Sequence, residues 1–301
     1  MDKMPVVWYE GVLGLEKRSR YGLASLLNES FDNTREFEFV HCSGWADLPV
    51  GSKEAIVVVH GEHLLAKVGQ IEADLNTLDR ALVVLFCDET SMFPGRRLEH
   101  PRRKIWLQTP VPNGSSSYAN RYLICGYPHD AQTHLNHFDV RSVDRPFDWF
   151  FSGQVTHGRR TACVQQLRQM KGGLLNETPG FWQGLERSEY YRRMSQAMII
   201  PCPSGPATPD TMRVAEALEA GCVPLVDGNC SLANYPEGYW NFVLKSPPPF
   251  RIVDDWSKLP QIMDEELAKW PANRDALTQW WVEYKRSMSD WLREDWAALR
   301  R

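Results

Sequence analysis

Residues 188 to 227, SEYYRRMSQAMIIPCPSGPATPDTMRVAEALEAGCVPLVD, restrict the fold more than any other part of the chain. They read as helix, short apolar strand, Gly/Pro loop, amphipathic helix and second buried strand. Ala197-Met198-Ile199-Ile200 is short enough for a buried parallel strand, and the prolines from Pro201 to Pro209 forbid regular structure after it. Asp210 or Thr211 can cap the next helix, whose Val214, Ala217 and Leu218 recur at helical spacing and which Gly221 stops. Arg213 and Glu216, three apart, share one face of its first turn. Backbone N–H groups at such a helix start attract phosphate oxygens. Arg213 adds a planar cationic fork, and Glu216 can accept hydrogen bonds from ribose hydroxyls. The same pattern also fits a plain βαβ unit in which Arg213 and Glu216 form a surface pair.

A second segment has matching chemistry. After an apolar strand, Asp148 to Phe151, the residues Ser152-Gly153-Gln154 predict a tight turn, and Arg159-Arg160 open a helix. Glycine lets backbone approach a phosphate, and arginine at a helix start reinforces an anion site. Ser204 and Gly205 in the Gly/Pro loop and Thr211 at the helix start complete the expected nucleotide contacts.

The run Tyr191, Ser195, Ile200, Pro203, Gly205, Thr211, Arg213, Glu216-Ala217-Leu218, Gly221-Cys222-Val223-Pro224 resembles the C-terminal signature of exostosin-type (family 47) glycosyltransferases, including its EAL-x-x-GC-x-P core. Residues 148 to 168, DWFFSGQVTHGRRTACVQQLR, are similar to that family's strand, Gly turn and Arg-opened helix. The likeness covers residues 148 to 236, and the first 147 residues carry no matching motif. It implies a GT-B fold and an inverting, metal-independent transfer from a nucleotide diphosphate-sugar, a UDP-sugar in this family, with no further cofactor. The acceptor so implied is open: a glycan, a lipid-linked sugar, or a hydroxymethylated base in DNA. An epimerase or a non-catalytic nucleotide-sugar-binding protein on the same fold are the other readings.

The rest of the chain agrees with an α/β architecture. Val6–Tyr9, Phe37–His41, Ala55–His60, Ala81–Cys87, Lys104–Leu107 and Tyr122–Cys125 read as strands, Tyr21–Glu29 and Leu64–Leu78 as helices. Such alternation predicts parallel sheets covered by helices. The polar stretch 128 to 147 suggests a boundary between an acceptor-binding domain, 1–147, and a nucleotide-sugar-binding domain, 148–301. Two Rossmann-like domains facing across a cleft are expected. A Trp-rich terminal helix (Trp280, Trp281, Trp291, Trp296) is expected to cross back to the first domain.

A general base is sought where a strand ends. His60-Gly61-Glu62-His63 follows the apolar run AIVVV, making Glu62 or His63 the first candidate, and Asp88 follows ALVVLFC. All three equally suit helix capping. His60 and His63 are too close for the i, i+4 zinc pair of a helix. No D-x-D occurs; Asp254-Asp255 reads as a cap or surface feature, so no metal is expected.

Bulk properties exclude several classes. A net charge of -4 argues against binding nucleic acid through global positive charge. Locally, residues 94 to 146 hold Arg96, Arg97, Arg102, Arg103, Lys104, Arg121, Arg141 and Arg145 against four acids, which suits a solvated loop or a polyanionic acceptor. Seven cysteines without a C-x-x-C pair fit a reduced compartment. With no apolar stretch of about 18 residues and a strand signal at the start of the chain, a cytoplasmic protein without a membrane span is expected.

Overall fold

Ala55, Ile56, Val57, Val58 and Val59 are all shielded from solvent, the signature of a parallel strand covered on both faces. The structure is a computed structural model, described over residues 4–9, 37–42, 51–86, 95–110, 117–127, 131–135, 143–180 and 183–299. The expected helix Tyr21–Glu29 lies outside the described residues. The chain divides into two compact units, Met1–His129 with Tyr284–Arg301, and Asp130–Glu283.

The first unit is built on six parallel strands: β1 (Met4–Tyr9), β2 (Phe37–Cys42), β3 (Glu54–His60), β4 (Arg80–Phe86), β5 (Arg103–Gln108) and β6 (Arg121–Leu123), in the order β2-β1-β3-β4-β5-β6. Helix α1 (Gly61–Asn76) follows β3 directly. Ile71 and Leu75 of α1, with Leu78, pack on Ala55, Val57 and Val59 of β3 and on Val83 and Leu85 of β4. The terminal helix supplies further partners for this unit. Asp295 accepts from Trp106 Nε1 at 2.8 Å and from Arg121 Nε at 3.3 Å, while Arg80 lies over the ring of Trp296 and Arg121 over Trp291.

The second unit repeats the theme with β7 (Phe147–Gly153), β8 (Leu174–Glu177), β9 (Ala197–Cys202), β10 (Val223–Asp227) and β11 (Arg251–Val253), all parallel, ordered β11-β10-β9-β7-β8. Among the described residues six helices and a 3-10 turn at Trp256–Lys258 accompany them: α2 (Ala131–Leu135), α3 (Gly158–Leu167), α4 (Arg187–Ser195), α5 (Met212–Glu219), α6 (Tyr239–Leu244) and α7 (Leu259–Ala298), whose residues from Tyr284 on belong to the first unit. Both sheets are thus α/β and Rossmann-like. Each changes winding direction beside its first strand, between β1 and β3 and between β7 and β9, the place where open α/β sheets bind ligands.

Four local features differ from expectation. Helix α7 is 40 residues long and contains Pro271, starting well before the first tryptophan of the Trp-rich segment, Trp280. Strand β11 and helix α6 are too short to show a period in sequence. Residues 152 and 153 belong to β7 rather than to a turn. Strand β9 continues through Pro201, because its ladder to β7 ends at Trp149↔Ile199 and no amide is needed on that side beyond it. Within the basic run, Arg96, Arg97, Arg102, Arg103, Arg121 and Arg145 have protein partners. Arg145 is itself buried, donating to the carbonyls of Ala197 at 2.6 Å and Ala220 at 2.9 Å.

Helix α5 ends as the sequence implies. Gly221 takes φ +65° just past the C-cap Ala220, with Cys222 N–H donating to Ala217 O and Gly221 N–H to Leu218 O. Gly221→Ala places a Cβ in this left-handed conformation and is expected to lower stability by roughly 1–2 kcal/mol in urea unfolding.

Candidate functional site

The ladder between β7 and β9 stops halfway, so the carboxyl halves of these strands part at the point where the winding reverses. Arg213 lies against the carboxyl end of β7. Its Nη2 donates to the carbonyl of Ser152 at 2.7 Å, and its guanidinium carbon lies 4.6 Å from the ring centre of Phe151. Gly153 permits this approach, since a Cβ there would fall 2.5 Å from Arg213 Nη2. The guanidinium is therefore fixed on one edge, while its Nε and Nη1 are buried and unpartnered.

Three hydroxyls belong to the same region. Ser204, fully shielded in the loop after β9, has an unpartnered Oγ. Thr211 occupies the N-cap position of α5 without capping it, and its Oγ1 is likewise buried and unpartnered. Ser152 differs, because its Oγ accepts from Asn176 Nδ2 at 2.9 Å. Buried polar atoms are nearly always satisfied, so several orphans beside one helix start mark a place built for a ligand. The unpartnered atoms include the guanidinium N–H groups of Arg213, and the helix dipole adds partial positive charge, so the arrangement favours an anion.

The two arginines opening α3 are engaged otherwise. Arg159 Nε donates to Asp227 Oδ1 at 2.5 Å, and its Nη2 reaches the carbonyls of Val253 and Asp254. Arg160 Nε donates to the carbonyl of Ser204 at 3.1 Å and its Nη1 to that of Gln154 at 3.4 Å. Both tie loops together within the unit, where sequence alone suggests free phosphate arms. Gly205 sits in the same loop as Ser204, its nearest constraint the carbonyl of Thr208.

Asp227, at the end of β10, is the residue that motif reading missed. It is wholly buried, and besides Arg159 it accepts from Trp256 Nε1 at 2.8 Å and from the backbone N–H of Ser204 at 2.6 Å. A carboxylate closing an apolar strand, VPLVD, is the only sequence signal of it. Nearby, His157 precedes α3 with Nδ1 3.1 Å from Ser231 Oγ. Burial first, then Arg160, lowers its pKa and favours the neutral imidazole. Asp255 caps the 3-10 turn by accepting from Ser257 N–H.

Glu216 is turned inward. Its carboxylate accepts from Tyr190 Oη and from Tyr191 Oη, both at 2.8 Å, with Tyr191 stacked on His134. The two oxygens thus hold phenols where a ribose was expected, and no surface pair with Arg213 forms. Glu62 and His63 lie in the first turn of α1, directly after β3, but their side chains fall outside the described residues, as does the whole of Asp88. Among the described residues no group of three or more His, Cys, Asp or Glu could hold a metal ion, and no helix is long and apolar enough to cross a membrane.

Burial raises the pKa of Glu216, against the opposing effect of the two phenols and Arg213. A raised folded pKa gives stability that is complete below the ordinary carboxylate range and is lost as pH rises through the folded value. The stability difference between wild type and Glu216→Gln should therefore shift against the wild type as pH rises above the ordinary carboxylate range in urea unfolding. A shift in the wild type's favour would contradict this.

Residues 144–294 match the family model described as RXYLT1 C-terminal domain. Over 163 residues the chain is 26% identical to ribitol-5-phosphate xylosyltransferase 1 of Danio rerio, an alignment covering 49% of this chain and 37% of that protein. The chain thus matches little more than a third of that relative's length. The match to the family model takes in β7 to β11 with Ser152, Ser204, Thr211 and Arg213, over just over half of the sequence, and the chain belongs to the RXYLT1 C-terminal domain family.

Proposed function

We propose that this chain is a glycosyltransferase that takes a sugar from a nucleotide diphosphate-sugar and passes it to a hydroxyl acceptor. The observation that carries this reading is the set of buried, unpartnered atoms, Arg213 Nε and Nη1, Ser204 Oγ and Thr211 Oγ1, where β7 and β9 part. A diphosphate offers oxygens to all of them, in charge-assisted bonds to the guanidinium. As the bond to the sugar breaks, negative charge grows on the leaving diphosphate, and donors already fixed in place stabilise it without reorganising. This supports a transfer that needs no metal.

The remaining parts of the proposal rest on likeness. The exostosin-type signature supports a UDP donor, inversion and a GT-B architecture. The name of the Danio rerio relative supports xylose as the sugar and a ribitol phosphate as the acceptor. Inversion requires a base on the acceptor hydroxyl, and Glu62, His63 and Asp88 are the proposed candidates. Transfer to DNA is disfavoured, because most cations of the basic run are engaged within the protein.

A thermal-shift panel of UDP-, GDP-, ADP- and CMP-sugars should single out UDP-sugars, and transfer should then require an added acceptor. Donor turnover without acceptor would indicate an epimerase, and binding without turnover a non-catalytic protein. In calorimetry, Arg213→Ala should weaken UDP binding by about 1.5–3 kcal/mol, the worth of a hydrogen bond to a charged group. Unchanged affinity would remove Arg213 from the site.

A further inference from the structure

Thr109 follows β5 in the first unit with φ +50°, one of two non-glycine residues with positive φ among those described. For a β-branched side chain the left-handed region is strained, since Cβ crowds the backbone. Its N–H donates to the carbonyl of Leu123 at 3.1 Å, which pins the turn to the end of β6. Strain of this kind persists only where the surroundings hold it, and it concentrates at binding sites.

A second observation is independent of the backbone. Thr109 is 1% exposed, and its Oγ1 is buried without a partner. Gln108, beside it, is 5% exposed. The shielded Thr109 hydroxyl thus keeps hydrogen-bonding capacity in reserve, next to an amide side chain on the same strand end. A glycine would take this turn without strain, and a valine would fill the space without stranding a hydroxyl.

Position and chemistry narrow the ligand. Gln108 and Thr109 lie at the carboxyl end of their strand, the edge of an open α/β sheet that receives ligands. Neither carries charge. An amide and a hydroxyl each donate and accept, which matches an alcohol group, itself both donor and acceptor, better than a phosphate.

We propose that Gln108 and Thr109 form a binding point for a hydroxyl of a neutral polyol or sugar, the acceptor side of the transfer. The word acceptor rests on the transferase reading above; the hydroxyl contact does not. The test is saturation-transfer difference NMR on the full chain with ribitol and methyl β-D-xyloside as probes, beside UDP binding by calorimetry and urea unfolding. The wild type should saturate at least one probe. Thr109→Val keeps the branched shape and removes the hydroxyl. It should weaken probe binding about 2- to 10-fold, the range for one neutral hydrogen bond, leave UDP affinity unchanged, and leave the urea midpoint unchanged or raised. Thr109→Ser should bind the probe as the wild type does. The proposal is overturned if Thr109→Val binds the probe normally, if its urea midpoint falls, or if UDP binds while neither probe does. A probe signal that depends on Thr109, in a protein that binds no nucleotide-sugar, would instead retain the hydroxyl contact and remove the transferase reading.

Discussion

The carboxylate of Asp227 is the interaction on which the second unit's site depends. It is wholly shielded, and it draws in three elements that are far apart in sequence: Arg159 at the start of α3, the N–H of Ser204 after β9, and the indole of Trp256 beyond β11. Burying a charge costs several kcal/mol unless a partner and further hydrogen bonds compensate, and here each oxygen has them. Because Ser204 N–H points at Asp227, the loop after β9 is held with Ser204 Oγ left over. Arg160 braces the same loop from the other side through the Ser204 carbonyl. Two arginines at a helix start therefore hold the loops around Ser204 in place.

The position of Arg213 is set by the carboxyl end of β7. The carbonyl of Ser152, near the end of β7, receives Arg213 Nη2. Phe151 below the guanidinium and Gly153 beside it fix its plane. Glu216, one turn along α5, fastens that helix to Tyr190 and Tyr191 and so sets where Arg213 begins its reach.

Much of this architecture is legible in sequence, for identifiable reasons. Apolar runs such as AIVVV and ALVVLF could only be strands buried on both faces, and Gly221 could only end a helix. Ser204, Thr211 and Arg213 follow from the order of strand, Gly/Pro loop and helix. The rest depends on tertiary contacts that no local pattern encodes. Arg159 looks like a phosphate arm until Asp227, 68 positions later, is seen to hold it. The spacing of Arg213 and Glu216 places them on one helix face but does not say that two tyrosines already occupy the carboxylate. The density of RRLEHPRRK reads as a free basic surface, although Glu72, Asn76 and the carbonyl of Leu78 engage three of its arginines. Thr109 gives no sequence signal, since strain is visible only in a backbone angle.

The most direct test is a crystal structure of the chain with UDP. The account predicts diphosphate oxygens within hydrogen-bonding distance of Arg213 Nε or Nη1 and of Ser204 Oγ, with Asp227 still holding Arg159. A nucleotide bound elsewhere, with these atoms untouched, would contradict it.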